Sequence, residues 1–206
     1  MANTQLDELI MRLVNADDQQ EVKEIYRQWS ASYDSDLDGH GYVAPNVGVS
    51  LFEQLVENRN VNILDAGCGT GQVGRLLHQR GYRNIAGSDF SEDMLKVAGA
   101  ADCYQSLTVA DYTKPVEMKD NTYDAIISIG VYSKRFKQIF LNEMLRIVKA
   151  GGTILFSCRP VYYDEVADTV KAMHAEQLIV QSSVVYDDYM TGQQARAYYV
   201  SLQKTP

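Results

Sequence analysis

Leu6, Leu9, Ile10, Leu13 and Val14 fall at helical spacing near the start of the chain, and the stretch from Val22 to Trp29 repeats that stripe. Two helices are therefore predicted before any strand. Residues 32–41, SYDSDLDGHG, are polar and glycine-containing and read as a loop, after which a third helix is expected over 45–58. From there short apolar runs alternate with amphipathic stretches. Strands are predicted over 61–65, 83–88, 105–109, 123–129 and 153–158, with helices over 71–80, 91–99 and 134–149. Strands separated by helices build a parallel sheet covered on both faces. A helix over 163–176 ends this rhythm, because stretches 178–186 and 196–203 follow one another with only the turn-rich YDDYMTGQQ between them. Adjacent strands without a crossover helix pair antiparallel, so a closing hairpin is expected. The pattern as a whole gives an α/β fold around a seven-stranded, mostly parallel sheet.

The 206 residues suit one well-buried domain, here an N-terminal helical segment over 1–58 as part of the same domain as a core over 59–206. Hydrophobic residues at 46% and charged residues at 22% are ordinary for a globular chain, and no apolar run approaches the roughly 20 residues that cross a bilayer. No membrane partner is expected. The opening residues carry more acid than base and lack a secretory core, so the cytoplasm is the expected compartment. Cys68, Cys103 and Cys158 show no CxxC spacing, which points to three reduced thiols and no metal site. A net charge of -8 counts against a chain that lies along phosphates. The basic run Lys134-Arg135-Phe136-Lys137 reads as a solvated helix start.

Residues 62–74, NILDAGCGTGQVG, carry the chemistry, and two cofactor classes compete for them. Gly69, Gly71 and Gly74 fit GxGxxG, in which a pyrophosphate sits on a helix N-terminus. Asp65 stands two residues before Gly67, however, and a carboxylate there opposes a pyrophosphate while suiting a ligand with ammonium and sulfonium groups. Asp89 closes the next strand, where a carboxylate accepts from ribose hydroxyls. That position indicates adenosine without saying which adenosine ligand.

The ordered runs ILDAGCGTG, IAGSDFSEDMLKVA, VADYTKP, YDAIISIGVY and LRIVKAGGTILFS resemble the motif set of class I S-adenosylmethionine-dependent methyltransferases over residues 61–158. YRQWSASYDSD and YVAP in the N-terminal segment are similar to the small methyltransferase-like proteins of the Williams-Beuren region group. The resemblance implies a Rossmann-like sheet with helices on both faces and a C-terminal antiparallel hairpin. It implies S-adenosylmethionine as cofactor and S-adenosylhomocysteine as product. By the same resemblance Gly67, Cys68, Gly69 and Gly71 wrap the methionine end, with carbonyls near Gly67 meeting its amino group. Asp65 orients that loop or reaches the ammonium through water. Asp89 takes the ribose, Phe90 and Met94 flank the adenine, Asp111 and Tyr112 meet its edge, and Ile129 lies at the reactive end. Tyr33, in the YD pair, closes a lid over the methionine moiety, while Tyr26 and Trp29 hold the lid helix down.

Methyl transfer from a sulfonium is an in-line displacement, so the protein chiefly positions the acceptor and removes water. His40 in the lid and Tyr132 after the fourth strand are the candidates for a base and an orienting group. Ser128-Ile-Gly-Val-Tyr132 lacks the Asn-Pro-Pro-Tyr-like motif of enzymes that methylate nucleic-acid amino groups. No large insertion separates the fifth strand from the hairpin. An acceptor pocket must therefore come from the lid and the loops after strands four and five, which favours a small molecule. The C-terminal tyrosines Tyr162, Tyr163, Tyr186, Tyr189, Tyr198 and Tyr199 are explained mostly by strand alternation. Two alternatives remain beside a small-molecule methyltransferase: an NAD-linked oxidoreductase, and a non-catalytic binding module on the same fold. The acceptor atom and the oligomeric state are not legible.

Overall fold

The structure, a computed structural model, describes residues 8–13, 16 and 18–206. Leu6 and Val14 of the first helical stripe lie outside the described residues. Helix α1 covers residues 8–13 and is followed by α2 (Gln19–Trp29), α3 (Tyr33–Gly39) and α4 (Ala44–Leu55). Asp18 caps α2 by accepting from the Gln20 amide at 3.2 Å, and Val22, Ile25 and Trp29 form its buried stripe. The core then runs β1 (Ile63–Ala66), α5 (Gln72–Gln79), β2 (Ile85–Asp89), α6 (Glu92–Gly99), β3 (Ser106–Val109), β4 (Tyr123–Ser128), α7 (Lys137–Ile147), β5 (Val148–Cys158), α8 (Tyr163–Ala175), β6 (Ile179–Met190) and β7 (Ala195–Lys204).

The seven strands lie in the order β3-β2-β1-β4-β5-β7-β6. The first five pair in parallel, and β7 runs antiparallel to both β5 and β6. Strand direction in the sequence winds outward from β1 to one side and from β4 to the other. A crevice therefore opens at the C-terminal ends of β1 and β4, the switch point where open α/β sheets bind ligands. Neighbouring residues of one strand feed opposite layers: Ile63 packs with Val49, Phe52 and Leu77 of α4 and α5, whereas Leu64 packs with Phe140, Met144 and Val166 of α7 and α8. Among the described residues no helix is long and apolar enough to cross a membrane.

The sheet has the predicted strand count, parallel body and terminal hairpin, and three local expectations are corrected. Residues 32–41, expected as loop, contain α3. Its first-turn acids suit a helix N-terminus, Leu37 is buried, and Asp36 accepts from Trp29 Nε1 (2.9 Å) and Ser32 Oγ (2.8 Å). Strand β5 starts at Val148, directly from α7, because Gly151 at φ +73° and Gly152, packed against Asp124 O, let the ladder bend rather than break. The turn-rich YDDYMTGQQ is mostly strand, since Tyr186, Asp187, Asp188 and Met190 find partners on β7. That extension carries Tyr189 and Met190 up to the lid, where the Val43 amide donates to Tyr189 O (3.1 Å).

Candidate functional site

The loop from β1 into α5 is fixed by main-chain geometry. Gly67 adopts φ +77°, and a Cβ there would stand 2.3 Å from Val131 Cγ2. The amides of Gly67 and Cys68 donate to Ser88 O at 2.7 and 2.9 Å, and the Gly69 amide donates to Asp89 Oδ2 at 3.0 Å. Asp89 Oδ1 accepts from the Ser91 amide at 2.9 Å, while Ser91 itself caps α6 by accepting from the Met94 amide. Burial raises the Asp89 pKa and the amide donors oppose that rise. The tip of β1 is thus laced to the tip of β2 around one carboxylate.

A first cavity opens over this lacing. Tyr33, Gly67, Gly69, Asp89, Phe90, Met94, Asp111, Tyr112 and Ile129, all expected from the sequence, line it together. Tyr112 shares a hydrogen bond with Ser88 Oγ (2.7 Å). Burial works to raise the Asp111 carboxyl, yet the Thr113 hydroxyl and amide donating to Oδ1 hold it below its ordinary value. Gln19, Tyr26, Arg135 and Phe136 also line the cavity and were not foreseen as doing so. Tyr26, expected only to hold a helix down, meets Phe90 edge-on at 5.7 Å. Arg135, read as part of a solvated helix start, stands before α7 at the switch point, a position the strand order alone could have flagged.

Asp65, Cys68 and Gly71 do not line the cavity. Asp65 is buried beneath the loop, where Oδ2 accepts from Tyr104 Oη at 2.6 Å and burial pushes its pKa to about 7. Burial also pushes the Cys68 thiol up, away from a reactive thiolate. Gly71, at φ +91°, is the N-cap of α5. Gly74, the third glycine of GxGxxG, leaves room for Tyr104, whose ring a Cβ would strike at 2.2 Å. His40 lines neither cavity: Nδ1–H donates to Asp36 O at 2.8 Å, which turns the ring into the lid instead of toward an acceptor.

Helix α3 closes the loop from above. Asp34 accepts from Thr70 Oγ1 (2.5 Å), Gln72 Nε2 (2.9 Å) and Arg75 (2.6 Å), so a carboxylate of α3 covers the start of α5. Trp29 and Tyr33 meet at 4.6 Å. Behind them lies a second cavity of about 170 Å³ that shares Tyr26, Tyr33, Gly130, Val131 and Arg135 with the first. Its remaining wall comes from the N-terminal segment (Trp29, Tyr42), the loop after β4 (Tyr132), the segment after β5 (Arg159, Tyr162) and the hairpin (Tyr189, Met190). Burial pushes the Tyr132 phenol to about 12. Strand alternation on β7 explains Tyr198, stacked at 3.7 Å on Tyr163 at the start of α8, and the core residue Tyr199. It does not explain Tyr162 and Tyr189, which face this cavity.

Residues 63–152 match the family described as Methyltransferase domain. Among curated proteins, human Methyltransferase-like protein 27 is 31% identical over 65% of this chain and 56% of its own length. Malonyl-(acyl-carrier protein) O-methyltransferase of Buchnera aphidicola is 30% identical over 68% of this chain and 55% of its own. The chain thus spans about half the length of the curated relatives it matches. Among solved structures, the cyclase SpnF superposes with a TM-score of 0.70 at 17% identity, covering 92% of this chain and 97% of that one.

Proposed function

We propose that the chain, whose residues 63–152 match a methyltransferase domain and whose fold is that of class I S-adenosylmethionine-dependent methyltransferases, binds S-adenosylmethionine in the first cavity and methylates a small molecule held in the second. The observation that carries this reading is the meeting of the two cavities at Gly130 and Val131 under one lid. When bound, S-adenosylmethionine supplies an activated methyl carbon and a neutral thioether as leaving group.

The residues present fit that cofactor. Gly69 lines the first cavity, and a Cβ built on it would meet nothing within 4 Å, so the loop leaves the cavity its full width. In this reading Asp89 accepts from the ribose hydroxyls with the lone pairs that Gly69 and Ser91 leave over. Phe90 and Met94 flank the adenine, Asp111 and Tyr112 meet its edge, and Gly67 brings main chain to the methionine end. Tyr33 covers that end from the lid, and Ile129 stands beside the reactive carbon. Asp65 serves from below, holding the loop through Tyr104 instead of touching the ligand. Residues 1–58 then act as a lid belonging to the same domain as 59–206, in a cytoplasmic protein. The chain's work is positional: Tyr33 and Tyr26 exclude water, and the second cavity aligns the acceptor.

The NAD reading needs a pyrophosphate at the start of α5, where Asp34 already accepts three hydrogen bonds. A like-charged ligand would have to displace it. The SpnF superposition is a reminder that this fold does not fix the reaction, so turnover requires its own test. Calorimetric titration with S-adenosylmethionine, S-adenosylhomocysteine and NAD, followed by transfer of labelled methyl to a small-molecule panel, provides one. Binding of the first two without NAD, with label moving to at least one compound, supports the reading; binding of NAD alone overturns it.

A further inference from the structure

The second cavity is cationic in an acidic protein. Lys134, Arg135 and Arg159 line it, and among the described residues no Asp, Glu or His does, although the chain carries a net charge of -8. Among the described residues no ion pair engages either arginine. Arg159 donates to Tyr162 Oη at 2.9 Å and lies over that ring at 5.3 Å, which fixes the guanidinium at the wall. Arg135 lines both cavities and so stands at their junction. Between the two arginines the wall is aromatic and apolar, with Trp29, Tyr42, Tyr132 and Tyr189.

We propose that this cavity receives an organic carboxylate with an apolar body, its anion held by Arg135 and Arg159, and that a carboxylate oxygen is the methyl acceptor; this rests on the cofactor reading above. A planar guanidinium matches a carboxylate in charge and shape, and desolvation by the aromatic wall strengthens that pairing. Among the described residues of that lining there is no carboxylate or imidazole to take a proton from an alcohol, phenol or ammonium. Burial raises the phenols of Tyr26, Tyr42, Tyr132 and Tyr189, so they remain donors at neutral pH. An acceptor that is already anionic needs no base. A lone pair of the carboxylate oxygen forms the new O–C bond, the C–S electron pair stays with sulfur, and no proton moves. One negative and one positive charge are neutralised, leaving a methyl ester and a thioether. The volume of about 170 Å³ holds on the order of ten waters, room for a ring or short chain beside the carboxylate.

The test uses the full chain saturated with S-adenosylhomocysteine and titrated with phenylacetate and, separately, with phenylacetamide. The acid should bind about tenfold tighter than the amide, since the amide keeps the shape and loses the charge-assisted bonds. Arg159→Gln should shrink that preference without changing amide binding, since Arg135 remains, and Arg159→Lys should restore part of it. An amide bound as tightly as the acid overturns the proposal, as does a loss in Arg159→Gln that is equal for both. A second arm supplies labelled S-adenosylmethionine with phenylacetate, octanoate, malonyl-coenzyme A and phenethylamine. Alkali-labile label on a free acid or on the malonyl thioester supports an acid acceptor and says which source delivers it. Label on the amine with none on any acid overturns the proposal while leaving methyl transfer intact. Failure of S-adenosylhomocysteine to bind refutes the cofactor reading instead.

Discussion

The two cavities are built from different materials. The first is framed by main chain: amides of Gly67, Cys68 and Gly69 and the carboxylate of Asp89 lock the ends of β1 and β2 into one conformation. The second is framed by side chains from four separated segments, held by ring contacts such as Trp29 with Tyr33 and Tyr42 with Tyr189. A backbone frame tolerates little change, because its glycine conformations and amide partners have no substitutes. A wall of side chains can be rebuilt one residue at a time while the sheet stays as it is. The proposed cofactor end should therefore be brittle and the proposed acceptor end adjustable.

Asp89 tests brittleness most severely. Asp89→Ala leaves the buried amide of Ser91 without an acceptor, at about 1–3 kcal/mol, frees the half-buried amide of Gly69 at a smaller cost, and in the proposed reading removes the ribose partner as well. Urea unfolding should show the stability loss, and S-adenosylhomocysteine affinity should fall by about a hundredfold or more. A variant that unfolds like the parent and still binds within about threefold would mean that the loop does not depend on this carboxylate.

That division also separates what the sequence disclosed from what it hid. Asp65, Gly67, Gly69 and Asp89 sit at the ends of consecutive strands, so their spacing along the chain is their spacing in the fold. Helix α3 was hidden because its stability comes from outside its own polar sequence, through Leu37 packing and the Trp29 and Ser32 bonds to Asp36. Tyr189 and Arg135 were hidden for a related reason. Each sits in a stretch whose composition reads as a turn or a solvated surface, and only the extended hairpin and the strand order bring them to the cavity. Asp65 lies between these cases: its position was legible and two roles stood open for it, and the space for Tyr104 beside Gly74 places the carboxylate under the loop.

Asp65 offers the next largest effect, and one that is read through pH. Its folded pKa of about 7 lies above the ordinary 3.8 because burial penalises the charged form. Below the unfolded value both states hold the proton and the fold keeps its full stability. Between about 4 and 7 the unfolded chain releases a proton that the native state retains, so stability declines as pH rises through that window. Asp65→Asn still offers an oxygen to Tyr104 and cannot titrate. The variant should therefore gain on the parent across that window by up to the order of 4 kcal/mol, over a constant offset from placing an amide there. Parallel stability curves from about pH 4 to pH 8 would show Asp65 to be ionised in the folded protein.

The smallest effect lies where α3 bonds to the start of α5, at the Asp34 latch. Asp34 and Arg75 are each about a third exposed, at 35% and 36%, so solvent screens their charge and the pair itself should contribute little. Thr70 is buried, and its hydroxyl loses its acceptor in Asp34→Ala, which costs about 1 kcal/mol. A double-mutant cycle between Asp34→Ala and Arg75→Ala, read by urea unfolding, should give a coupling below about 1 kcal/mol. S-adenosylhomocysteine should leave Asp34→Ala only a few times faster than the parent, because Tyr26 against Phe90 and Trp29 against Tyr33 still seat the lid. A coupling above about 2 kcal/mol would mean that charge, not aromatic packing, closes the lid, and the acceptor end would then share the brittleness of the cofactor end.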